Sequence, residues 1–409
     1  MGIFYYIKHG DFRAASRILS LMVLTNDNPF QHSSPANPGR FFGRETDLAQ
    51  LFRQSRGLNP TRLSAPRRYG KTSLLFKLEE QLKKEKDTLF IYINLFGVNT
   101  KEEVLARFKE GYVEYVPEKI YKRVFKDLDK VSRGKSRESG VNTHLVFKGG
   151  RSENREAYSL QTEESLLLNG PQLVQKAAKK KCVVALDEFQ DIFDIKGMDR
   201  VIRSRFEKHD DNVNYVFAGS HKTLLEKLFT DKTRAFYGQA LPLYLKPVDN
   251  VEMSDYIREQ FRETRIELTN EPELISEFAM GHPHRAILIS YYLWELLALK
   301  QMPSAADAET RVVKAIEYAL ELLDPELETE WRSFNTSEQK TLKKILVTEG
   351  SPYAETPLNE TITIPGSTLA QKITKLKAKD IIRKENADLV FYDPFLALWM
   401  KQQFFDYAP

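Results

Sequence analysis

The stretch RLSAPRRYGKTSLLFKL, residues 62–78, decides the fold. A short strand-like run, TRLSA (61–65), leads through a turn to Gly70, Lys71 and Thr72, and KTSLLFKLEEQLKKE (71–85) then takes up helical spacing. Strand, turn and helix around Gly-Lys-Thr form a phosphate-binding loop. Amides of the loop and of the helix N-terminus would face phosphate oxygens. Lys71 would reach the β and γ oxygens, and the Thr72 hydroxyl would ligate Mg²⁺. The nucleotide-binding stretch is therefore Ala65, Pro66, Arg67, Arg68, Tyr69, Gly70, Lys71, Thr72 and Ser73. Ala65 stands where such loops usually carry their first glycine. Pro66 behind it favours extended, negative-φ geometry, which needs no glycine. Gly70 stays where the backbone passes close to phosphate. Arg67 and Arg68 add positive charge, directed either at phosphate or at solvent.

The partner of such a loop is an acidic strand end, and VVALDEFQDI (183–192) supplies it. Asp187 would hold Mg²⁺ through water or through Thr72, and Glu188 would act as general base on the attacking water. Further apolar runs read as buried parallel strands: TLFIYINL (88–95), CVVALD (182–187), VNYVFAG (213–219) and LPLYL (241–245). Their alternation with helices implies an α/β fold, a parallel sheet covered on both faces. After residue 248 the pattern is helical to about 324, and the last 80 residues read as two or three helices followed by a hairpin.

The chain has 409 residues, enough for two or three domains. Apolar residues make up 42% and charged residues 29%, a soluble globular balance. A single cysteine, Cys182, excludes an intrachain disulfide, and no Cys/His spacing fits zinc. His282 and His284 are the only close histidine pair and read as structural. No apolar run reaches the ~18 residues that span a bilayer, so a cytoplasmic protein without membrane contact is expected. Residues 1–27 form an N-terminal tail, whose first 25 residues carry Lys8, Arg13 and Arg17 against a single acid, Asp11. It reads as an amphipathic segment, or as an extension ahead of a start at Met22.

The net charge of +4 is unevenly placed. Residues 119–155 carry +7, with Arg133, Lys135, Arg137, Lys148, Arg151 and Arg155 in and around the polar run SRGKSRESG (132–140) and the strand-like HLVFKGG. This is a solvated loop or a nucleic-acid contact. In the tail, TSEQKTLKKILV (336–347) reads as a helix opened by Thr336 or Ser337, and a second helix is capped by Ser367. Its stripe is Leu369, Ile373 and Leu376, with Lys372, Lys375 and Lys379 on a neighbouring face. IIRKENADLVFYDP would be a wing. The basic face of residues 367–392 suits either duplex DNA phosphates or a protein partner.

The segments FFGRETDLAQL (41–51), APRRYGKTSLL (65–75), VVALDEFQDI, FAGSHKTLLEKLF (217–229), AFYGQALPLYLKP (235–247), GHP (281–283) and YDPFLALWM (392–400) together resemble the archaeal-type ATPases. These are an AAA+-related P-loop NTPase family of the STAND class. The resemblance covers roughly residues 28–400. It implies an AAA+-like core over 28–247 with an insert at about 101–165, a helical lid over 248–328 and a winged-helix domain over 329–409. It places Phe42, Gly43 and Arg44 beside the adenine, Ser220 at the sensor position for the γ-phosphate, and Pro283 in a lid motif touching nucleotide. Arg285 is either a lid phosphate sensor or a surface arginine. Arg234, near the end of the helix after Ser220, is a candidate arginine finger for a neighbouring subunit.

The expected function is a slow ATPase switch. ATP and Mg²⁺ are its cofactors, ADP its product, and a winged helix responds to nucleotide state. The alternative is an AAA+ loader or initiator assembling on duplex DNA. The chain would be a monomer or an ATP-dependent homo-oligomer.

Overall fold

The computed structural model describes residues 27–35, 38–126, 163–220, 222–303, 306–355 and 362–405. The N-terminal tail, HLVFKGG and the basic residues from Arg133 to Arg155 fall outside them. The chain forms two compact units. One holds Arg44–Arg67 and Lys71–Lys246, and the other holds the chain up to Gly43, Arg68–Gly70 and Pro247 onward.

In the α/β unit, α1 (Glu45–Arg56) precedes β1 (Thr61–Ser64), and α2 (Lys71–Lys84) precedes β2 (Thr88–Asn94). Next come α3 (Lys101–Tyr115), α4 (Glu118–Val124), α5 (Glu163–Leu168), α6 (Gly170–Ala178) and β3 (Lys181–Asp187). Then α7 (Met198–Phe206), β4 (Val213–Gly219), α8 (Lys222–Thr230) and β5 (Leu241–Tyr244) complete it. The strands make one parallel sheet in the order β2-β3-β4-β1-β5. Every residue of β4, and of β3 after Lys181, is buried, as strands covered on both faces must be. One face rests on an aromatic cluster in which Phe217 lies 4.7 Å from Phe189 and 5.2 Å from Phe236 between ring centroids. Cys182 is a free, buried thiol of β3. Asn214 of β4 donates to the carbonyls of Gln54, Ser55 and Gly57, which satisfies the end of α1 and fixes the approach to β1.

The second unit contains α9 (Asn250–Glu263), α10 (Glu271–Ala279), α11 (Pro283–Ala298), α12 (Ala308–Ser333), α13 (Thr336–Val347), α14 (Gly366–Ala378), the antiparallel hairpin β6 (Ile382–Glu385) with β7 (Asp388–Phe391), and α15 (Pro394–Phe404). α12 runs unbroken past residue 328, with Pro325 inside it. A continuous core joins Phe261, Leu293 and Leu323 to Leu342, Ile373 and Trp399.

Several local expectations are corrected. The chain does not end on the hairpin, because α15 follows and buries Phe395, Trp399 and Met400. Asn335, not Thr336 or Ser337, caps α13, through a reciprocal capping box with Glu338. Pro365, not Ser367, precedes α14, and no side chain caps it. Leu369, Ile373 and Leu376 are buried as the periodicity demands. Among the described residues no helix is long and apolar enough to cross a membrane.

Candidate active site

Five polar side chains from three segments meet at the C-terminal edge of the sheet. Lys71 and Thr72 open α2 directly behind the loop after β1. Asp187 ends β3, with Glu188 next, and Ser220 follows β4. Parallel pairing sets this edge, with Asn94 beside Asp187 and Ser64 beside Gly219.

Asp187 is the hub. Its Oδ1 accepts from the Lys71 ammonium and, at 2.9 Å, from the Glu188 amide. Its Oδ2 accepts from the Thr72 hydroxyl at 2.9 Å and from the Tyr92 hydroxyl at 2.9 Å. Lys71 Nζ also lies 3.1 Å from Glu188 Oε1. Burial alone would lower the Lys71 pKa, but Asp187 and then Glu188 reverse that and raise it.

Glu188 sits in the left-handed region at φ 51°, ψ 40°. Its Oε2 accepts from Gln190 Nε2 at 2.7 Å, Ser220 Oγ at 2.7 Å and Ser220 N at 3.1 Å. Burial pushes its carboxyl upward, yet the Lys71 charge and these donors outweigh burial and hold it below the usual carboxylate range. It is ionised at neutral pH and able to take a proton.

The loop residues divide. Ala65 and Pro66 are buried, and Ala65 is not among the residues with positive φ, so that position needs no glycine. Arg67 is exposed. Arg68 adopts φ 66° and Gly70 φ 85°, with open space where a Gly70 Cβ would stand. Ser73 is buried. Arg68–Gly70 group with the second unit. There Arg68 pairs with Glu326 of α12 at 2.8 Å, and the Tyr69 ring packs 4.8 Å from His282.

The same unit holds Phe42, Gly43, Pro283 and Arg285. Phe42 stacks on Tyr256 at 4.1 Å, and Gly43 lies beside Val248. Pro283 is the first residue of α11, and His282 caps it. Arg285 is not a surface arginine, since it is 2% exposed and pairs with Asp393 at the start of α15. Arg44 belongs to the α/β unit, where it is buried and donates to the Lys246 carbonyl at 2.6 Å.

Arg234 lies in the turn after α8, not within it. Its guanidinium sits 3.9 Å over Phe193 and 3.7 Å from Asp199, apart from the Lys71–Asp187 group. Tyr92 and Gln190 join the site without having been foreseen. Both are polar members of segments that read as core strand and acidic strand end.

The donor set fits a hard cation. A hydroxyl and a carboxylate oxygen lie together at Thr72 and Asp187, and Mg²⁺ in nucleotide sites takes only one or two protein carboxylates alongside phosphates and water. Among the described residues no group of three or more His, Cys, Asp or Glu forms an all-protein metal cage.

No protein-family profile and no curated protein matches the chain. Solved structures do. The Walker-type ATPase PABY2304 of Pyrococcus abyssi superposes with a TM-score of 0.62 at 21% identity, over 91% of this chain and 99% of that one. The ORC2 protein of Aeropyrum pernix, in its ADPNP–ADP complexes, gives 0.58 at 16% identity over 92% and 96% of the two chains. Its ADP form gives 0.54 at 13% identity over 93% and 96%. The chain has the α/β P-loop fold seen in these proteins.

Proposed function

We propose that this chain binds and hydrolyses ATP as a slow switch of the STAND, AAA+-related type, coupling nucleotide state to a C-terminal winged helix. One observation carries the reading. Lys71, Thr72, Asp187, Glu188 and Ser220 converge in contact at the carboxyl edge of a parallel sheet, where α/β folds bind ligands. The fold shared with a Walker-type ATPase and with a protein solved with ADPNP and ADP supports it.

Each residue has a role in that chemistry. The loop from Ala65 to Ser73 cradles the phosphate chain. Lys71 turns from Asp187 to the β and γ oxygens. Thr72 and Asp187 would hold Mg²⁺, which neutralises charge on the triphosphate when bound. Ionised Glu188 takes the proton of the attacking water, and Ser220 keeps that carboxylate aimed. Phe42, Gly43, Arg44 and Pro283 are proposed contacts of the nucleotide, and Arg234 would act only from another copy of the chain.

The switch rests on Arg285. In exchange for Asp393 it would take a phosphate oxygen, and α15 would then lose its hold on that arginine. α13, α14, the β6–β7 hairpin and α15 have the order of a winged helix. Lys375 of α14 and Lys379, the residue just after it, are paired with Glu338 at 3.1 and 3.0 Å, which favours a protein partner over duplex DNA as the object of that face. A cytoplasmic location is part of this reading.

The test is ATP binding and turnover by purified protein in magnesium buffer, with and without duplex DNA. Glu188→Gln should keep binding and lower turnover by about 10²–10⁴-fold. Lys71→Ala should lose both. Turnover unchanged in Glu188→Gln would sink the hydrolytic reading, and DNA-dependent turnover would favour the loader.

A further inference from the structure

We infer that Tyr92 is a positioning residue for the metal-anchoring carboxylate of Asp187. The inference rests on the nucleotide reading above.

Tyr92 lies on β2, two residues before the Asn94 that pairs with Asp187 across β2 and β3. Its hydroxyl donates to Asp187 Oδ2 at 2.9 Å. Phe76 of α2 holds the ring edge-on at 5.3 Å, and Tyr115 of α3 flanks it at 6.0 Å. Burial first, and the Asp187 charge second, raise the phenol pKa, so it remains a donor at any working pH.

Asp187 has four donors, two on each oxygen. Lys71 and Thr72 are the two that nucleotide chemistry claims, the first for phosphate and the second for Mg²⁺. The Glu188 amide on Oδ1 and the Tyr92 hydroxyl on Oδ2 have no other task. They are left as one donor per oxygen, and together they set the plane of the carboxylate. The lone pair that Thr72 releases on Oδ2 then points toward the cation or its water. Without the Tyr92 hydroxyl that oxygen has no protein donor, and the carboxylate rotates about its single bond. Residues that orient a metal ligand in this way are typically worth 10–100-fold in metal affinity.

Tyr92→Phe removes the hydroxyl and keeps the ring. Fluorescent ATP analogue binding is measured in EDTA and across a Mg²⁺ titration, with turnover followed over the same titration. The expected result is a rise of about 10-fold in the Mg²⁺ concentration for half-maximal turnover. Analogue affinity in EDTA and the thermal midpoint should stay as in wild type. An unchanged Mg²⁺ requirement overturns the inference. So does a matching loss of affinity in EDTA, which would mark Tyr92 as packing alone. Wild-type protein that binds no nucleotide at all would instead bring down the proposed function, and this inference with it.

Discussion

Arg285 grips Asp393 through its edge, with Nε 3.1 Å from Oδ1 and 3.0 Å from Oδ2, and the adjacent amino group on Oδ2 as well. Glu326 stands 3.6 Å from the same amino group and also holds Arg68. Asp393 does double duty, because Oδ1 caps α15 by accepting from the Phe395 amide at 3.0 Å. Burial alone would raise its pKa, but Arg285 holds the carboxyl below the ordinary range.

Removing that carboxylate should therefore cost more than an exposed ion pair would. Asp393→Ala leaves a buried guanidinium without its main partner and strips a helix cap. The expected loss is about 3–5 kcal/mol. Asp393→Asn keeps a cap acceptor and should lose less. Urea unfolding followed by tryptophan fluorescence reads this directly, because all three tryptophans (Trp294, Trp331 and Trp399) lie in the same unit as the pair. A loss under about 1 kcal/mol for Asp393→Ala would mean that the pair behaves like a solvated surface contact.

Two glycines with positive φ should respond differently. Gly281 has φ 77°, and a Cβ there would stand 2.4 Å from the Pro247 Cβ and 2.8 Å from the Val248 carbonyl oxygen. Gly281→Ala combines left-handed strain with a clash against backbone, so a loss on the order of 2–3 kcal/mol is expected. Gly70 has φ 85° with nothing near the added carbon. Gly70→Ala should cost only about 1–2 kcal/mol of strain but weaken nucleotide binding, since its methyl fills the room proposed for phosphate. Unfolding curves and analogue binding on both variants check the contrast.

Much of this could be read from residues alone, and the reason is physical. Runs such as VNYVFAG and CVVALD are almost wholly apolar, so they are buried on both faces wherever the sheet places them. The loop was legible because Pro66 restricts Ala65 whatever surrounds it. The misses came where two local signals compete or where a partner is distant in sequence. Asn335, Thr336 and Ser337 are all capping residues, and only the reach of Glu338 back to Asn335 decides among them. Tyr92 sits inside an apolar strand, and its hydroxyl gains meaning only once β3 lies alongside. Arg285 and Asp393 are 108 residues apart, so no spacing pattern joins them.

Acid should destabilise the second unit well above the carboxylate range. Burial lowers the pKa of His282 to about 3 and, with Arg285 and Arg68 adding to it, that of His284 to about 2. Both are neutral in the folded protein at pH 5, while the unfolded chain takes up protons below about 6.5. The unfolded state thus binds more protons, and stability falls as pH drops from about 6.5 toward the folded values. The slope is about 1.4 kcal/mol per pH unit for each histidine. Between pH 6.5, where the unfolded imidazoles are already half protonated, and pH 5 the tryptophan-detected unfolding energy should fall by about 3 kcal/mol, and His282→Asn should remove about half of that dependence. A flat profile over this range would mean the two imidazoles are open to water.

Lys375 of α14 and Lys379 just after it offer the last test. Glu338 is 1% exposed on its side chain, and its carboxylate takes Lys375 at 3.1 Å and Lys379 at 3.0 Å on Oε1 while Oε2 accepts from the Asn335 amide. Burial would raise the pKa of this carboxyl, but the lysines and the cap hold it low. Lysines committed to a buried carboxylate are poorly placed to neutralise phosphates. Replacing both with methionine should leave Glu338 short of donors and cost about 1–3 kcal/mol. The same change should leave the salt dependence of any duplex DNA binding as it was. If these two lysines met DNA phosphates instead, log affinity against log salt would flatten by about 2 in slope, because each contact releases about one counterion. Lys372, on the same helix, has no part in the Glu338 pairing, and Lys372→Met serves as the reference for a lysine that does not anchor the carboxylate.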